Sequence, residues 1–264
     1  MPGLFRRIVM PTDFTLGSQE MLERAVALAV QHEAHLQVFH AALFDGEAGQ
    51  AEARQTEIFA TIERHRKRWQ DHPGHAAMTF DYESVDGRSA ADAIDSYLAG
   101  AHADLVVMAT HGGGLLSDSV AEHVVERASC SVLTGRRGAA GRWPMVPGRI
   151  LVPVDFSEES KAALAVVRSF PGSGPITLLH VVSDEEEDRE ALEARLRTWA
   201  GDPVDTVQLR EGHPTKALAQ ASRDEDVALI AVGTHASHTH AERMLGTTAV
   251  SLTGTSRVPV LTVR

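Results

Sequence analysis

The chain has 264 residues, room for two ordinary domains, and its 43% hydrophobic and 23% charged content is that of a globular protein. A formal charge of −11, with no basic run carrying interleaved aromatics, argues against a nucleic-acid partner, because that affinity comes mostly from Lys and Arg on phosphates. No apolar run reaches the roughly 18 residues of a membrane helix, the opening "MPGLFRRIVMPTDF" lacks a secretory h-region and cleavage site, and one cysteine excludes an internal disulfide framework, so a cytoplasmic protein is expected.

In chain order, "RIVMPT" reads as a first strand, followed by the helix "SQEMLERAVALAVQH". Met21, Leu22, Ala25, Val26, Leu28 and Ala29 share one face of it at helical spacing, and Ser18 is the expected N-cap. "LQVFHAA" is the second strand and "EARQTEIFATIERHRKRWQ" a helix with Ile58, Ile62 and Trp69 among its apolar positions. His72 and His75, in "DHPGH", read as loop residues. The alternating "MTFDYESV" is the third strand, "SAADAIDSYLAGAH" a helix, "ADLVVMAT" the fourth strand, "SDSVAEHVVERA" a helix and "SVLTG" the fifth strand. Cys130, just before that strand, reads as a small packed hydrophobe with no visible activator of its thiol. The Gly- and Pro-rich "GRRGAAGRWPMVPG" breaks both helix and strand, and serves as the hinge.

The second half of the chain repeats the first. "RRIVMPTDF" returns as "GRILVPVDF", aligning Asp13 with Asp155; "LQVFHAAL" returns as "ITLLHVVS", "ADLVVMATH" as "VALIAVGTH" and "CSVLTGR" as "VPVLTVR". Four landmarks in the same order indicate a duplication, with domains over 1–137 and 148–264 joined by a linker over 138–147. The acidic run Asp184 to Asp188 opens a helix of the second half, where a helix N-terminus favours negative charge. Hydrophobic strands alternating with helices imply parallel sheets covered on both faces. The expected fold is α/β, two tandem doubly wound domains with a five-stranded parallel sheet each. Ligands in such folds bind beyond the carboxyl ends of the strands, where strand order reverses.

If strands one and four are neighbours, two elements converge there in each half. One is the strand-one end with Asp13 or Asp155; the other is the loop after strand four, "ATHGGGLLSDS" or "GTHASHTHAERMLGT". Glycines let backbone approach an oxyanion and reach conformations closed to other residues, and successive N–H groups form an anion nest. Gly246-Thr247-Thr248 would open the last helix, adding its dipole and two hydroxyl donors.

On these residues the whole chain resembles a tandem universal stress protein, two UspA-type domains in one polypeptide. Nucleotide-binding members carry G-x2-G-x9-G-[S/T] after strand four. The second half keeps that spacing with Gly233, Ala236, Gly246 and Thr247, one glycine having become alanine. The first half has Ala109, Gly112, Asp118 and Ser119 on a shorter loop without the outer glycines. A carboxylate at Asp118 would occupy the anion site with the protein's own charge, so the first site, with Asp13, is expected to be degenerate.

The resemblance implies an adenine nucleotide, ATP with or without Mg²⁺, held by the second domain. Asp155 would accept from the adenine or ribose end, Val181 would contact the base, and Pro153, Val154 and Val232 would line the floor. Gly233, His235 and Ala236 would meet ribose or phosphates, and Gly246, Thr247 and Thr248 the phosphate tail. The competing reading of Asp155 is a cap on the turn into the next helix. Binding in this family is regulatory, with ATP turnover slow or absent. The sequence has no G-x4-G-K-[S/T] loop, no "SGGxDS"-like loop and no nucleophile–base–orienter set. The resemblance also implies pairing of the two halves about a pseudo-twofold through their last strands, a homodimer, and a protein partner of unknown identity.

Two other readings stand beside this one. Universal stress proteins include members that bind no nucleotide, and Ala236 departs from the binders' motif, so the chain could act purely through a protein partner. A metal-dependent hydrolase would use His235, His238 and His240 with Asp155. No Cys or carboxylate joins those histidines at a familiar zinc spacing, so they read as solvated loop residues and no metal is expected.

Overall fold

The computed structural model describes residues 3–42, 51–86, 89–110, 120–139, 143–170, 174–182, 188–201, 204–224, 226–234 and 243–264, without the side chains of 51, 86 and 243–247. The chain divides into two compact units, Met1–Gly138 and Ala139–Arg264.

The first unit runs β1 (Arg7–Pro11), α1 (Leu16–His32), β2 (His35–Ala42), α2 (Ala51–Arg66), β3 (Thr79–Asp86), α3 (Ala90–Ala101), β4 (Leu105–Thr110), α4 (Val120–Arg127) and β5 (Ser131–Arg136). Its strands pair in the order β3-β2-β1-β4-β5, parallel at every join. Right-handed crossovers on either side of the reversal put α1 and α2 on one face and α3 and α4 on the other; α1 packs on α2, and α3 on α4. The core is the strand set Ile8, Val9, Met10, Leu36, Val38, Phe39, Leu105 and Val106 with the inner sides of these helices.

Helix α1 starts earlier than the sequence suggests. Its N-cap is Thr15, extended at φ −67° and ψ 165°, whose hydroxyl accepts from the Ser18 amide. The chain has already turned at Phe14, which is left-handed at φ 60°, so the helix forms at once and Ser18 lies inside it. Nor is α1 buried on one face alone: Ala25 to Val30 are all fully buried. The segment read as a loop around His72 is the reason at one end. Pro73–His75 forms a 3-10 turn with Gly74 buried, and a Cβ there would sit 2.0 Å from the Val30 carbonyl oxygen.

The second unit runs β6 (Arg149–Pro153), α5 (Glu158–Arg168), β7 (Ile176–Val182), α6 (Arg189–Ala200), β8 (Thr206–Glu211), α7 (Pro214–Ala221), β9 (Val227–Gly233), α8 (Arg243–Thr255) and β10 (Val260–Val263). The order is β8-β7-β6-β9-β10, again parallel. Both units therefore have the doubly wound α/β fold with five parallel strands. Of the acidic run, Asp188 caps α6 by accepting from the Glu190 and Ala191 amides; Asp184 to Glu187 lie outside the described residues. Within the stretch read as a linker, Trp143 is buried against Phe170, rings 5.0 Å apart, so it belongs to the core of the second unit.

Candidate functional site

Strand order reverses at β1/β4 in the first unit and at β6/β9 in the second, where Ile150 pairs with Leu229 and Leu151 with Ile230. The chain leaves β6 through Val154 and Asp155, and leaves β9 through Thr234. These two exits stand side by side at the carboxyl end of the sheet, the crevice position for a ligand in an open α/β fold.

The Asp turn has the same backbone plan in both halves. Phe156 is left-handed at φ 64°, as Phe14 is at φ 60°, a conformation that costs a non-glycine residue on the order of 1–2 kcal/mol. A histidine of the neighbouring strand pins the turn. The Nδ1–H of His180 donates to the Val154 carbonyl (2.6 Å) and that of His40 to the Thr12 carbonyl (2.9 Å). The phenylalanine rings lie tilted against these same imidazoles, centroids 5.2 Å apart for Phe156–His180 and 4.8 Å for Phe14–His40. A guanidinium covers each phenylalanine, Arg195 over Phe156 at 4.0 Å and Arg54 over Phe14 at 4.8 Å. A packed ring, a held carbonyl and a covering cation are what offset the strain.

The two aspartates are not equally occupied. Asp13 Oδ1 accepts from the Thr15 amide (3.1 Å), the Thr15 hydroxyl (2.7 Å) and the Ser18 hydroxyl (2.5 Å). Asp155 Oδ1 accepts from the Ser157 amide (3.1 Å) and the Ser157 hydroxyl (2.5 Å). Ser160, in the place of Ser18, turns instead to the Ser157 carbonyl at 2.9 Å. Asp155 is exposed, and its Oδ2 has no donor among the described residues.

The model of the universal stress protein family matches residues 4–136 and, a second time, residues 147–264. The chain belongs to the universal stress protein family. A universal stress protein from Archaeoglobus fulgidus DSM 4304 has the same fold at a TM-score of 0.73, with 18% identity over 99% of this chain and 97% of that one. A universal stress protein structure from Pseudomonas aeruginosa UCBPP-PA14 matches at 0.65, with 16% identity, over 98% and 93%. A universal stress protein in complex with cAMP matches 50% of this chain and 98% of its own at 20% identity and a TM-score of 0.39. No curated protein matches the chain.

In this universal stress protein the second-half residues singled out from the sequence sit at the ends of β6, β7 and β9. Val154 is buried, Pro153 and Val181 are half-buried, and Val232 and Gly233 are buried at the end of β9. His235 and Ala236 lie outside the described residues, as do Gly112, Asp118 and Ser119 of the first half and the histidines His238 and His240. Ala109 sits in β4. Gly246, Thr247 and Thr248 are in α8, but that helix begins at Arg243 rather than at the glycine. Arg243, Met244 and Leu245 are good helix formers and extend it backwards, so the amides without an intrahelical acceptor precede Gly246.

Gly233 has a packing role of its own. A Cβ on it would lie 2.0 Å from the Glu159 carbonyl oxygen and 2.2 Å from its carbon, in the first turn of α5. Sequence reasoning missed the paired His40 and His180, although both histidines recur in register in the aligned second strands. Among the described residues no group of three His, Cys, Asp or Glu side chains could hold a metal ion, and no helix is long and apolar enough to cross a membrane.

Proposed function

We propose that this universal stress protein binds ATP, or a related adenine nucleotide, in the crevice of its second unit, and that binding regulates it rather than feeding a reaction. The observation carrying this reading is the side-by-side exit of β6 and β9, with Asp155 exposed, its Oδ1 held by Ser157 and its Oδ2 without a donor among the described residues. Asp155 would accept from the adenine or ribose end, over a floor of Pro153, Val154, Val181 and Val232. Gly233, His235 and Ala236 would meet ribose or phosphate, and the start of α8, with Gly246, Thr247 and Thr248 in its first turns, the phosphate tail with or without Mg²⁺. The three donors on Asp13 Oδ1 support a first site that is closed to the same ligand.

The cap geometry of Asp155 favours a second reading, an interaction protein that binds no nucleotide, because Ser157 alone accounts for a carboxylate there. Calorimetric titration with ATP, with and without Mg²⁺, separates the two. One site per chain, lost in Gly246→Asp and little changed in Asp118→Gly, is the expected result. Two equal sites would overturn the asymmetry. No heat and no thermal shift, with no nucleotide released from the denatured protein in mass spectrometry, would establish the second reading. A homodimer acting in the cytoplasm with a further protein partner completes the proposal, and light scattering on the purified chain tests its first part.

A further inference from the structure

The first unit contains a hollow unrelated to the nucleotide crevice. It has a volume of about 370 Å³ and lies against the sheet face below α3, bordered by Arg7 and Val9 of β1, His35 and Gln37 of β2, Glu83 of β3 and Tyr97 of α3. Arg7 and His35 are the first residues of their strands, whereas Glu83 is level with Pro11, the last residue of β1, so the hollow runs along the sheet face from its amino end.

Its walls carry polar groups whose hydrogen-bonding capacity is not filled among the described residues. Arg7 is anchored by its amide on Asp104 (2.9 Å) and by Nη1 on the Ala101 carbonyl (2.9 Å); its remaining guanidinium N–H groups have no acceptor among the described residues. His35 commits Nδ1 to the Thr79 hydroxyl (2.9 Å), leaving Nε2. Gln37 donates from Nε2 to the Val38 carbonyl (3.3 Å), leaving Oε1. Glu83 takes the Tyr97 hydroxyl, whose pKa is pushed up to about 12, chiefly by burial and then by the Glu83 carboxylate, so Tyr97 stays a donor. The Tyr97 ring is itself immobilised by stacking on Phe39 at 4.3 Å. Convergent polar groups on a rigid concave wall are the usual make-up of a small-molecule site.

The charges select the ligand. Arg7 pairs in register with His35 and His35 with Thr79, whereas Glu83 pairs with Phe39, so the guanidinium and the carboxylate enter from opposite corners of the hollow. Two strands and four residues separate them, about 16 Å between backbones, and both residues line the hollow. Its plus end at Arg7 and its minus end at Glu83, reinforced by Asp81 of the same strand, stand apart, so a ligand carrying both charges meets an opposite charge at each end, whereas a simple anion or cation matches one end only.

We propose that this hollow binds a small linear zwitterion, an amino acid or dipeptide, with its carboxylate on Arg7 and its ammonium on Glu83. The ligand is independent of any nucleotide. Gly100 gives a clean way to close the site. It borders the hollow from α3, and a Cβ added to it meets nothing within 4 Å, so a helix-favouring residue there preserves the fold.

The test titrates the full chain with the twenty amino acids and glycylglycine, and then with the N-acetyl and C-amide derivatives of the tightest probe. The expected result is saturable binding of at least one probe, weakened at least tenfold by blocking either end, and at least tenfold by Arg7→Met or Glu83→Gln. Gly100→Met should abolish binding, Gly100→Ala should keep it, and ATP should not compete. No saturable binding up to about 10 mM, equal binding of the blocked derivatives, or unchanged binding in Gly100→Met would overturn the proposal.

Discussion

His32 closes α1 with a fully interior imidazole. It is 2% exposed, lies edge-on to Phe5 with ring centroids 5.1 Å apart, and is covered by the N-terminal segment so closely that a Cβ on Gly3 would sit 2.5 Å from the His32 Cα. Burial penalises the imidazolium and lowers its pKa from 6.5 to about 4. The folded state thus holds the neutral ring, while the unfolded chain takes up a proton near pH 6.5. Stability from this group is complete above that pH and falls as pH drops toward 4. Linkage across this interval makes the loss about 2 kcal/mol by pH 5 and about 3 kcal/mol by pH 4. His32→Leu carries a packing cost that does not depend on pH, so the difference in unfolding free energy between the two proteins isolates the titration. That difference should shift by about 2 kcal/mol in favour of the variant between about pH 7.5 and pH 5 in urea unfolding. Imidazole NMR gives the direct check, with the His32 resonance titrating near pH 4. A midpoint between about 6 and 7, or a flat difference in urea, would refute the burial argument.

Gly233→Ala drives a methyl into the backbone of Glu159 and should cost about 2–4 kcal/mol of unfolding free energy; a cost below about 0.5 kcal/mol would show that α5 is free to retreat. Ser157→Ala removes the cap on the Ser160 amide and both the rotamer lock and one donor of Asp155; about 1 kcal/mol of stability should go, and nucleotide affinity, where present, should fall with it in calorimetry. Ala109→Gly should leave the ATP stoichiometry at one and cost about 0.5–1 kcal/mol through the strand backbone, and a second site appearing would sink the packing explanation of that residue.

Element order and the duplication were legible in the sequence, because apolar runs and turn residues recur at intervals that suit a parallel sheet with crossover helices; that strands one and four are neighbours was only a condition there, since spacing along the chain does not set strand order. Burial around α1 was not legible. Its Met21-to-Ala29 pattern is that of a one-sided helix, and it is contacts distant in sequence, the packing of α2 along it and the return of Pro73–His75 onto its end, that bury more of it. The cap at Thr15 was hidden for a related reason: Ser18 suits a cap, but the left-handed Phe14 starts the helix before it. The histidine pins were visible as His40 and His180 in aligned strands, yet a histidine in a strand says nothing of its acceptor until the neighbouring carbonyl is placed. The hollow below α3 had no signal at all, since it is assembled from residues on three strands and a helix, with no period linking them.

The duplication lets two meanings of a glycine be told apart. At the end of the fourth strand the second unit has Gly233 opposite Glu159, the second residue of α5, and the main chain of that helix occupies the space a Cβ would need. The first unit has Ala109 at the same point, opposite Gly17, the second residue of α1, and a Cβ on Gly17 would lie 3.4 Å from the Ala109 Cβ, ordinary contact. The glycine thus stands on the helix side of the strand–helix seam in one unit and on the strand side in the other. Ala109 therefore follows from packing, and its departure from a glycine motif is no sign of a lost phosphate site. What distinguishes the two crevices is chemistry further along: three donors already spent on Asp13 Oδ1 against two on Asp155, and an aspartate at position 118 where the second half has a glycine. The sequence expectation of a closed first site rests on that aspartate, not on the residue at 109.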